Sequence, residues 1–416
     1  MTPWKTALTV YKNPKMLTML ILGFFSGLPL LLIFSTLSFW LKDCNVSKTA
    51  IGAFALVRLP YSFKFLWAPY VDRITLPVLG KLGRRRSWAL VFQAGLMLSL
   101  LALIRTDPAQ TPALTAGFAV AVAFFSASQD IVFDAFRIES FSENDQGAAS
   151  ATFVTGYRIG MLASGAGALY MSVFLSWASV YSLLAAAGLI GMATILFVKE
   201  PLKIDRPTGH LFKEAVIAPI KDFVSRDGWF LILLFIMLYK LCETTLGTMT
   251  APFYTEMGFS RVQIATVAKI YGVLATLAGG FLGGILVARF GIMRSLIVCG
   301  ILQGLSNLPF AYLATQGDSM LWLTISVISD NMASGMATSA FVAYMSFLCN
   351  TAYTATQYAL LSSIMALPRD LLSSASGWLA DRMSWPMFFT TTALFSLPGL
   401  FLLFLLHRKF RTPEKQ

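Results

Sequence analysis

Long apolar runs separated by short polar loops dominate the pattern of this chain. A helix that spans a membrane needs roughly 20 predominantly apolar residues, because it rises about 1.5 Å per residue through a hydrocarbon core about 30 Å thick. Twelve segments come close to or exceed that length: 16–41, 51–71, 87–104, 113–135, 149–173, 177–198, 229–254, 265–288, 294–314, 321–348, 354–380 and 386–406. The pattern therefore predicts an all-α integral membrane protein with twelve transmembrane helices.

The composition excludes a soluble fold. Of the 416 residues 56% are hydrophobic and only 12% are charged, whereas soluble domains carry about 25% charged residues. The chain lacks the polar side chains that would coat the surfaces of two or three soluble domains. Most of its surface must therefore face lipid, and we expect a multi-pass protein in a bilayer.

Basic residues are distributed unevenly between the loops, and this predicts the orientation in the membrane. Cytoplasmic loops carry an excess of Lys and Arg. Such residues cluster after the second segment, after the sixth and in the tail, and include Arg73, Lys81, Arg84, Arg85, Arg86, Lys199, Lys221, Arg226, Arg408 and Lys409. We therefore expect both termini in the cytoplasm. The net charge of +12 does not indicate nucleic-acid binding, because these residues lie between apolar segments rather than along one face.

One long polar stretch, 199–228, interrupts the apolar pattern in the interior of the chain. It contains several prolines and a helical patch of mixed charge, which is typical of a linker. The sequence therefore predicts two six-helix bundles, 1–198 and 229–416, joined by a cytoplasmic linker.

The two predicted bundles repeat a turn. Ala68-x3-Asp72-Arg73 follows the second segment, and Gly284-x3-Ala288-Arg289 follows the eighth, 216 residues later. This turn resembles the signature of the major facilitator superfamily, although an alanine replaces the first glycine in one copy and the acid in the other. The resemblance implies a central cavity between the bundles near the bilayer midplane. It also implies a conformational switch in the first loop, at Asp72, Arg73, Arg84, Arg85 and Arg86.

Ionisable residues inside spans are costly, so each is a candidate for function. Asp130 and Asp134 in the fourth segment are four residues apart and share one helix face. Two carboxylates in a medium of low dielectric constant resist simultaneous ionisation, which suits a proton carrier. The alternative is a pair of structural ion pairs, Asp134 with Arg137 and Asp130 with Arg158, and the sequence leaves both interpretations open.

Basic residues within spans suggest an anionic cargo. Lys64 in the second segment is flanked by Tyr61 and Trp67, whose rings offer flat apolar faces. The alternatives are that Lys64 neutralises an aspartate of the fourth segment and that Trp67 anchors the helix at the membrane interface.

The second half offers two further lysines. Lys240 in the seventh segment lies three residues before Glu243, so the two side chains have the spacing of an ion pair that only neutralises itself. Lys269 in the eighth segment has no obvious partner nearby in the sequence, which favours a position in the cavity.

The sequence gives no indication of an enzyme. It contains no phosphate-binding loop and no zinc-protease motif, and both histidines, His210 and His407, lie outside the spans. The four cysteines are far apart and lack metal-ligand spacing. We expect no cofactor and no metal ion.

Several strings of residues, in order along nearly the whole chain, resemble the AmpG-type muropeptide permeases. They are Phe24-x-Ser26-Gly27-Leu28-Pro29-Leu30, Phe63-Lys64-Phe65-Leu66-Trp67-x-Pro69, Phe125-Ser126-Ala127-Ser128-Gln129-Asp130-Ile131-Val132-Phe133-Asp134-Ala135, Gly156-Tyr157-Arg158, Tyr239-Lys240-Leu241 and Leu348-Cys349-Asn350. The string of the fourth segment is the most specific.

This resemblance implies an inner-membrane symporter of Gram-negative bacteria that imports N-acetylglucosaminyl-1,6-anhydro-N-acetylmuramyl peptides with protons, for cell-wall recycling. Such a cargo is an anionic sugar-peptide, and we expect the carrier to act as a monomer. The residues carried over to cargo binding or proton coupling are Lys64, Gln129, Asp130, Asp134, Arg158, Lys240, Lys269 and Asn350. We also expect Tyr61, Trp67 and Tyr157 to stack on sugar rings.

Two substitutions leave other functions open. Arg58 stands where the resemblance implies a small residue, and Glu243 where it implies aspartate. One alternative is a carrier of another organic anion such as acetyl-CoA, which a sister group transports. The other is a membrane sensor with a transporter fold that moves no cargo.

Overall fold

The computed structural model describes residues 9–46, 54, 57, 59–201 and 217–409, and over them it contains helices and no strand. Arg58 and the side chain of Lys269 lie outside this description, as do residues 47–53 and residues 202–216 of the linker. We number the membrane helices α1 to α12 in chain order. They correspond in order to the twelve apolar segments.

The first half of the chain contains α1 to α6. Two of these helices, α1 and α5, each contain a wider π turn, and α2 consists of three short pieces. Their bounds are Lys15–Asp43 for α1, 59–73 for α2, Arg84–Leu103 for α3, Pro112–Ser140 for α4, 146–172 for α5 and Trp177–Phe197 for α6.

The second half begins with a short linker helix, Ala218–Val224, and continues with α7 to α12. Helix α7 is broken at Lys240, since one helical piece ends at Leu238 and the next begins at Leu241. The bounds are Trp229–Glu256 for α7, Val262–Phe290 for α8, Ile292–Gln316 for α9, Met320–Phe347 for α10, Thr354–Ala380 for α11 and Trp385–Lys409 for α12.

Within the described part of the chain, eight helices are long and apolar enough to cross a membrane. A ninth is added if Met320–Phe347 and Thr351–Met365, which meet at 97°, count as one broken span. The all-helical membrane architecture is therefore confirmed. The total of twelve spans is consistent with the structure and stays a prediction.

Helices α1 and α5 approach closely because glycines remove side chains from their interface. A Cβ at Gly156 would lie 2.0 Å from the carbonyl oxygen of Leu20, and one at Gly27 would lie 2.0 Å from that of Tyr157. Small residues give helices in lipid this close backbone contact, which replaces the hydrophobic driving force that operates in water. The contact fixes α5, and therefore Arg158, against α1.

Four buried apolar clusters show where the halves of the chain meet. At the predicted cytoplasmic end, Ile138 of α4 belongs to a cluster that is otherwise built from the second half. Conversely, Ala355 and Ala359 of α11 belong to a cluster of the first half. At the opposite end, each of the two clusters contains residues of one half alone. Among the described residues, the two halves therefore interpenetrate at one end only.

Polar and close backbone contacts join the halves at the same end. The Tyr11 hydroxyl donates to the carbonyl oxygen of Phe281 at 2.9 Å. A Cβ at Gly284 of α8 would lie 2.9 Å from Cα of Ala148 in α5. Helices α5 and α8 thus form one side of the seam between the halves.

We predict that Gly156→Ala destabilises the protein by about 1–3 kcal/mol, because the added methyl group overpacks the α1–α5 interface. Gly117→Ala is the matched control, since a Cβ at this position in α4 meets nothing within 4 Å. Thermal unfolding of both purified variants in detergent gives the measurement. Equal midpoints for the two variants would contradict the prediction.

Candidate functional site

Asp130 lies in the middle of α4, where α1 and α2 converge on it. Its half-buried carboxylate accepts a hydrogen bond from the hydroxyl of Ser26 in α1, at 2.5 Å. One turn earlier, the Tyr61 hydroxyl of α2 donates to Ser126 at 2.8 Å. The charge of Lys64 acts on Asp130 at longer range. The structure thus brings together Tyr61, Lys64 and Asp130.

Asp134 forms the ion pair that the sequence offered as an alternative. The guanidinium of Arg137 lies 3.3 Å from its carboxylate. Arg137 is fully buried and also donates to Ser346 of α10, at 2.9 Å. The second proposed ion pair, Asp130 with Arg158, does not form among the described residues. Asp134 therefore belongs to the contact between the halves, whereas Asp130 forms no ion pair among the described residues and has only the longer-range charge of Lys64.

Arg158 of α5 lies at the seam between the halves. It lines a small pocket together with Ala151, Val154, Thr155, Thr276, Leu277, Gly280, Gly335, Thr338 and Ser339. Its buried Nε has no hydrogen-bond partner in the part of the chain that the structure describes. A buried donor without a partner is costly, which marks Arg158 as a cation available to a ligand.

Lys240, from the second half, does not line this pocket itself but contacts Thr338, which does. Its ammonium donates to the Thr338 hydroxyl at 2.6 Å and to Glu243 at 2.6 Å. Glu243 accepts two further hydrogen bonds, from Gln303 at 2.7 Å and from Ser334 at 2.7 Å. Lys240 itself lies at the break in α7, between the piece that ends at Leu238 and the piece that begins at Leu241.

The remaining predicted cargo residues are more scattered. The Trp67 indole donates to Ser128 at 2.9 Å, and Ser128 lies on a different face of α4 from Ser126 and Asp130 because it is two residues away from each. Gln129 is fully buried and donates to Gln93 of α3 within the first half. The structure therefore does not bring Trp67 or Gln129 together with Asp130.

Tyr157 lies next to Arg158, and its hydroxyl is close enough to interact electrostatically with that of Tyr61. Asn350, in contrast, lies beyond the last residue of α10, at the predicted cytoplasmic end. Its side-chain amide donates to Asp222 of the linker helix at 2.9 Å. The structure therefore places Tyr157 close to Tyr61 and Arg158, and Asn350 apart from them.

Asp222 joins the linker helix to α10 and α11. Arg226 lies 2.6 Å from its carboxylate, and the Gln357 amide donates to it at 2.7 Å. Burial alone would raise the pKa of Asp222, but the hydrogen bonds from Gln357, Asn350 and Arg226 hold this pKa below its usual value. The carboxylate is therefore charged near neutral pH, and the linker helix stays docked on α11.

Asp72 at the end of α2 links the two halves directly. Its carboxylate accepts hydrogen bonds from the backbone N–H of Ala355 at 3.3 Å, and from the N–H and hydroxyl of Thr356 at 2.8 and 2.7 Å. These donors form the N-terminus of α11, where partial positive charge favours an anion. Arg85, which is fully buried, donates to Asp72 from the other side at 2.8 Å.

Glu139 of α4 completes this group, since Arg85 donates to both of its carboxylate oxygens at 2.5 and 3.0 Å. We call Asp72, Arg85, Glu139 and Thr356 the latch. Arg84 adds a hydrogen bond to the carbonyl oxygen of Asp72 at 2.8 Å.

The other residues of the predicted switch loop have separate positions. Arg86 turns away from the latch and donates to carbonyl groups of the last turn of α6, at Ile195 and Leu196. Arg73 ends α2 next to Asp72 and is half-buried. The predicted switch loop therefore contributes Asp72 and Arg85 to the latch, and Arg86 attaches the loop to α6.

Several residues of this site were not found from the sequence. Ser26, Thr338 and Thr356 are common small residues that carry no signal of their own, and only the fold shows which charge each one contacts. Glu139 was detectable, because it is an acid near the end of a span and adjacent to the arginine-rich loop.

Comparison with known proteins agrees with this geometry. The model of the Major Facilitator Superfamily matches residues 16–369. The solved structure of the transporter FucP in the outward conformation superposes with a TM-score of 0.69, at 12% identity, over 94% of this chain and 98% of FucP. A bacterial homologue of the iron transporter ferroportin in the outward-facing state gives 0.68, at 14% identity, over 96% of this chain and 99% of its own length. The chain therefore belongs to the major facilitator superfamily and is a membrane transporter, not an enzyme.

Two relatives place it more narrowly. A protein of Rickettsia felis described as a putative transporter AmpG 4 is 38% identical, over 96% of this chain and 98% of its own length. The anhydromuropeptide permease of Escherichia coli K12 is 39% identical, over 95% of this chain and 80% of its own length. Within the superfamily, the chain groups with the AmpG-type permeases.

We predict that Asp72→Ala opens the predicted cytoplasmic end, because it removes the anion that joins Arg85 to the N-terminus of α11. Arg85 keeps its ion pair with Glu139, so the variant loses the link between the halves without leaving a buried charge unpaired. Cys349, which is 8% exposed at the end of α10, serves as the reporter in a variant whose other cysteines are serine. Its labelling by a maleimide should accelerate severalfold. Asp381→Ala, in an exposed loop, is the control, and equal labelling rates in both variants would refute a latch.

Proposed function

We propose that this protein imports N-acetylglucosaminyl-1,6-anhydro-N-acetylmuramyl peptides from the periplasm to the cytoplasm of a bacterium, together with protons. It would do so as a monomer in the inner membrane, with both termini in the cytoplasm and the two bundles 1–198 and 229–416 moving about the cavity. The observation that carries the proposal is the convergence of Arg158 and Lys240, from opposite halves, on the pocket beside Thr338. The identity to the E. coli permease supports the choice of cargo.

Electrostatics favours an anionic cargo at this pocket. A cation at membrane depth is expensive unless something neutralises it. Glu243 offsets the charge of Lys240, whereas Arg158 has no ion pair among the described residues. A peptide carboxylate of the cargo would supply the missing anion, and the planar guanidinium binds carboxylates in bidentate geometry. Tyr61 and Tyr157 would present rings to the sugars.

Asp130 is the proposed proton carrier. Its carboxylate has the hydroxyl of Ser26 as its hydrogen-bond partner and only the longer-range charge of Lys64 to offset it. Asp134 is already held by Arg137, so its charge is committed to the contact between the halves. A proton bound to Asp130 from the outer side would remove a buried charge, and its release to the cytoplasm would complete the cycle.

Alternating access would then require the latch to open. The halves interpenetrate at the predicted cytoplasmic end, so cargo in the pocket reaches the cytoplasm only after Asp72 leaves the N-terminus of α11. Cargo that bridges Arg158 and Lys240 draws the halves together above this point. Closing the outer side in this way offsets the cost of breaking the latch, which is the coupling that transport needs.

We predict that proteoliposomes containing the protein accumulate radiolabelled GlcNAc-anhydroMurNAc when a proton gradient is imposed, and that Asp130→Asn lowers the limiting accumulation ratio at least about tenfold per pH unit of gradient. The mutation removes the proton site but keeps the shape of the side chain. Asp318→Asn, in an exposed loop, is the matched control. An accumulation ratio in Asp130→Asn equal to that of wild type would move the proton from Asp130 to another carboxylate. No uptake by folded wild-type protein would refute the cargo, and proton-independent exchange of acetyl-CoA would establish the rival carrier.

We also predict that Arg158→Gln raises KM about 10- to 100-fold, because a hydrogen bond to a charged group contributes about 1.5–3 kcal/mol and each 1.4 kcal/mol changes affinity tenfold. Removing a half-buried charge that has no ion pair among the described residues should leave the thermal stability unchanged or higher. Arg382→Gln, at an exposed position, is the control. An unchanged KM in Arg158→Gln would exclude contact between this arginine and the cargo.

A further inference from the structure

Asp330 is a carboxylate in the middle of α10 to which the proposed transport cycle gives no role. It is half-buried, and its hydrogen bond from the Ser306 hydroxyl of α9 is long, at 3.5 Å. Within the described part of the chain, no cation lies within ion-pair distance of it. A carboxylate at this depth without a cation is unstable in its charged form, because little in its surroundings replaces the water it has lost.

The position of Asp330 on α10 is well defined. Asp330, Ser334 and Thr338 are spaced four residues apart and share one face of the helix. Ser334 donates to Glu243, and Thr338 accepts from Lys240. The shared face therefore meets α7 at the broken turn, and Asp330 lies one turn from the contact with Glu243.

Among the described residues, the charged groups that act on Asp330 belong to α7. From α7, Glu243 and Lys240 act on it, and it acts in turn on Cys242 and Tyr254 of that helix. From α9, the uncharged Ser306 contacts it. On the side of α8, Thr276 donates at 2.9 Å to Asn331, which follows Asp330 in α10. The side chain of Lys269, also in α8, lies outside the described residues.

These neighbours leave Asp330 with an excess of negative charge. Glu243 already holds Lys240 at 2.6 Å and accepts hydrogen bonds from Gln303 and Ser334. The single nearby lysine is therefore offset by Glu243, and an ionised Asp330 would add a second anion with no cation to match. Two neighbouring carboxylates of this kind share one charge most stably when one of them is protonated.

Polar groups beside Asp330 suit the protonated form. Ser326 lies one turn earlier on the same face, and its hydroxyl is fully buried without a partner among the described residues. A protonated carboxyl group has an O–H donor that a carboxylate lacks, so protonation adds hydrogen-bonding capacity in a region that already contains unused acceptors.

We infer that Asp330 is a second proton-coupling site, in the half of the protein opposite to Asp130. The inference rests on the proposed proton-driven import. Anionic cargo that binds Lys240 weakens the ion pair between this lysine and Glu243. The negative charge of Glu243 is then less well neutralised. While the cargo is bound, a proton on Asp330 keeps the summed charge of Lys240, Glu243, Asp330 and the cargo carboxylate at one negative charge. Release of that proton restores the pairing of Lys240 with Glu243 and favours the departure of the cargo.

The first test detects the proton itself and needs no cargo. Infrared difference spectra of the purified protein, titrated with acid and base, report protonated carboxyl groups through their C=O stretching band. We expect Asp330→Asn to lose one component of this band and Asp330→Glu to shift it, while the control Asp318→Asn leaves it unchanged. If the Asn variant fails to fold, the shift in Asp330→Glu carries the test. A band that is identical in wild type and both variants overturns the inference.

The second test measures coupling in proteoliposomes with a gradient of about one pH unit. One pH unit corresponds to about 1.36 kcal/mol per proton, so loss of one coupled proton lowers the limiting accumulation ratio about tenfold. We expect this loss in Asp330→Asn, with counterflow of cargo at equal pH retained. An accumulation ratio equal to that of wild type overturns the inference and leaves the transport proposal intact. If wild type shows no uptake but Asp330→Asn loses the infrared component, the proton site stands and the cargo proposal fails.

Discussion

A charged group inside a bilayer must find its counter-charge within the protein, and this constraint organises the whole molecule. Arg85 lies between Asp72 and Glu139, and Lys240 is held by Glu243. These pairs make the buried charges tolerable without giving them to a ligand. The groups left without such a pair among the described residues stand out against this background. They include Arg158 at the seam between the halves, Asp130 with Lys64 near it in the first half, and Asp330 in the second half.

The same charges also decide how the halves are held. Asp72 reaches the N-terminus of α11, and Arg137 reaches Ser346 of α10, so neutralising charges of the first half depends on groups of the second. Inside each half, in contrast, glycine contacts such as that of Gly156 with Leu20 bring backbones together. Apolar packing can keep a bundle rigid while the polar contacts between bundles exchange partners. A carrier needs this division between permanent and breakable contacts.

The outcome for individual residues shows how far the sequence reached. The membrane helices were predicted in type and in order, because apolar length is a local property. Asp130 and Asp134 were predicted to share one helix face, and Lys64 was given the alternative of offsetting an aspartate of the fourth segment; the structure places Lys64 and Tyr61 near Asp130, while the roles of these residues stay predictions. Asn350 and Gln129 were predicted as cargo residues but contact Asp222 and Gln93. An amide that binds a ligand and one that binds a neighbouring helix have the same appearance in sequence.

The sequence by itself determined the environment, the helical class and the supply of charges within the spans, because each follows from composition and from the spacing of residues along one helix. Only the tertiary structure decided which charges neutralise one another. Asp134 is joined to Arg137 while Asp130 is left to Ser26, and Arg158 and Lys240 approach one pocket from chain positions 82 residues apart. Coulomb interactions depend on distance in space and on the local dielectric constant, and neither quantity can be read along the chain.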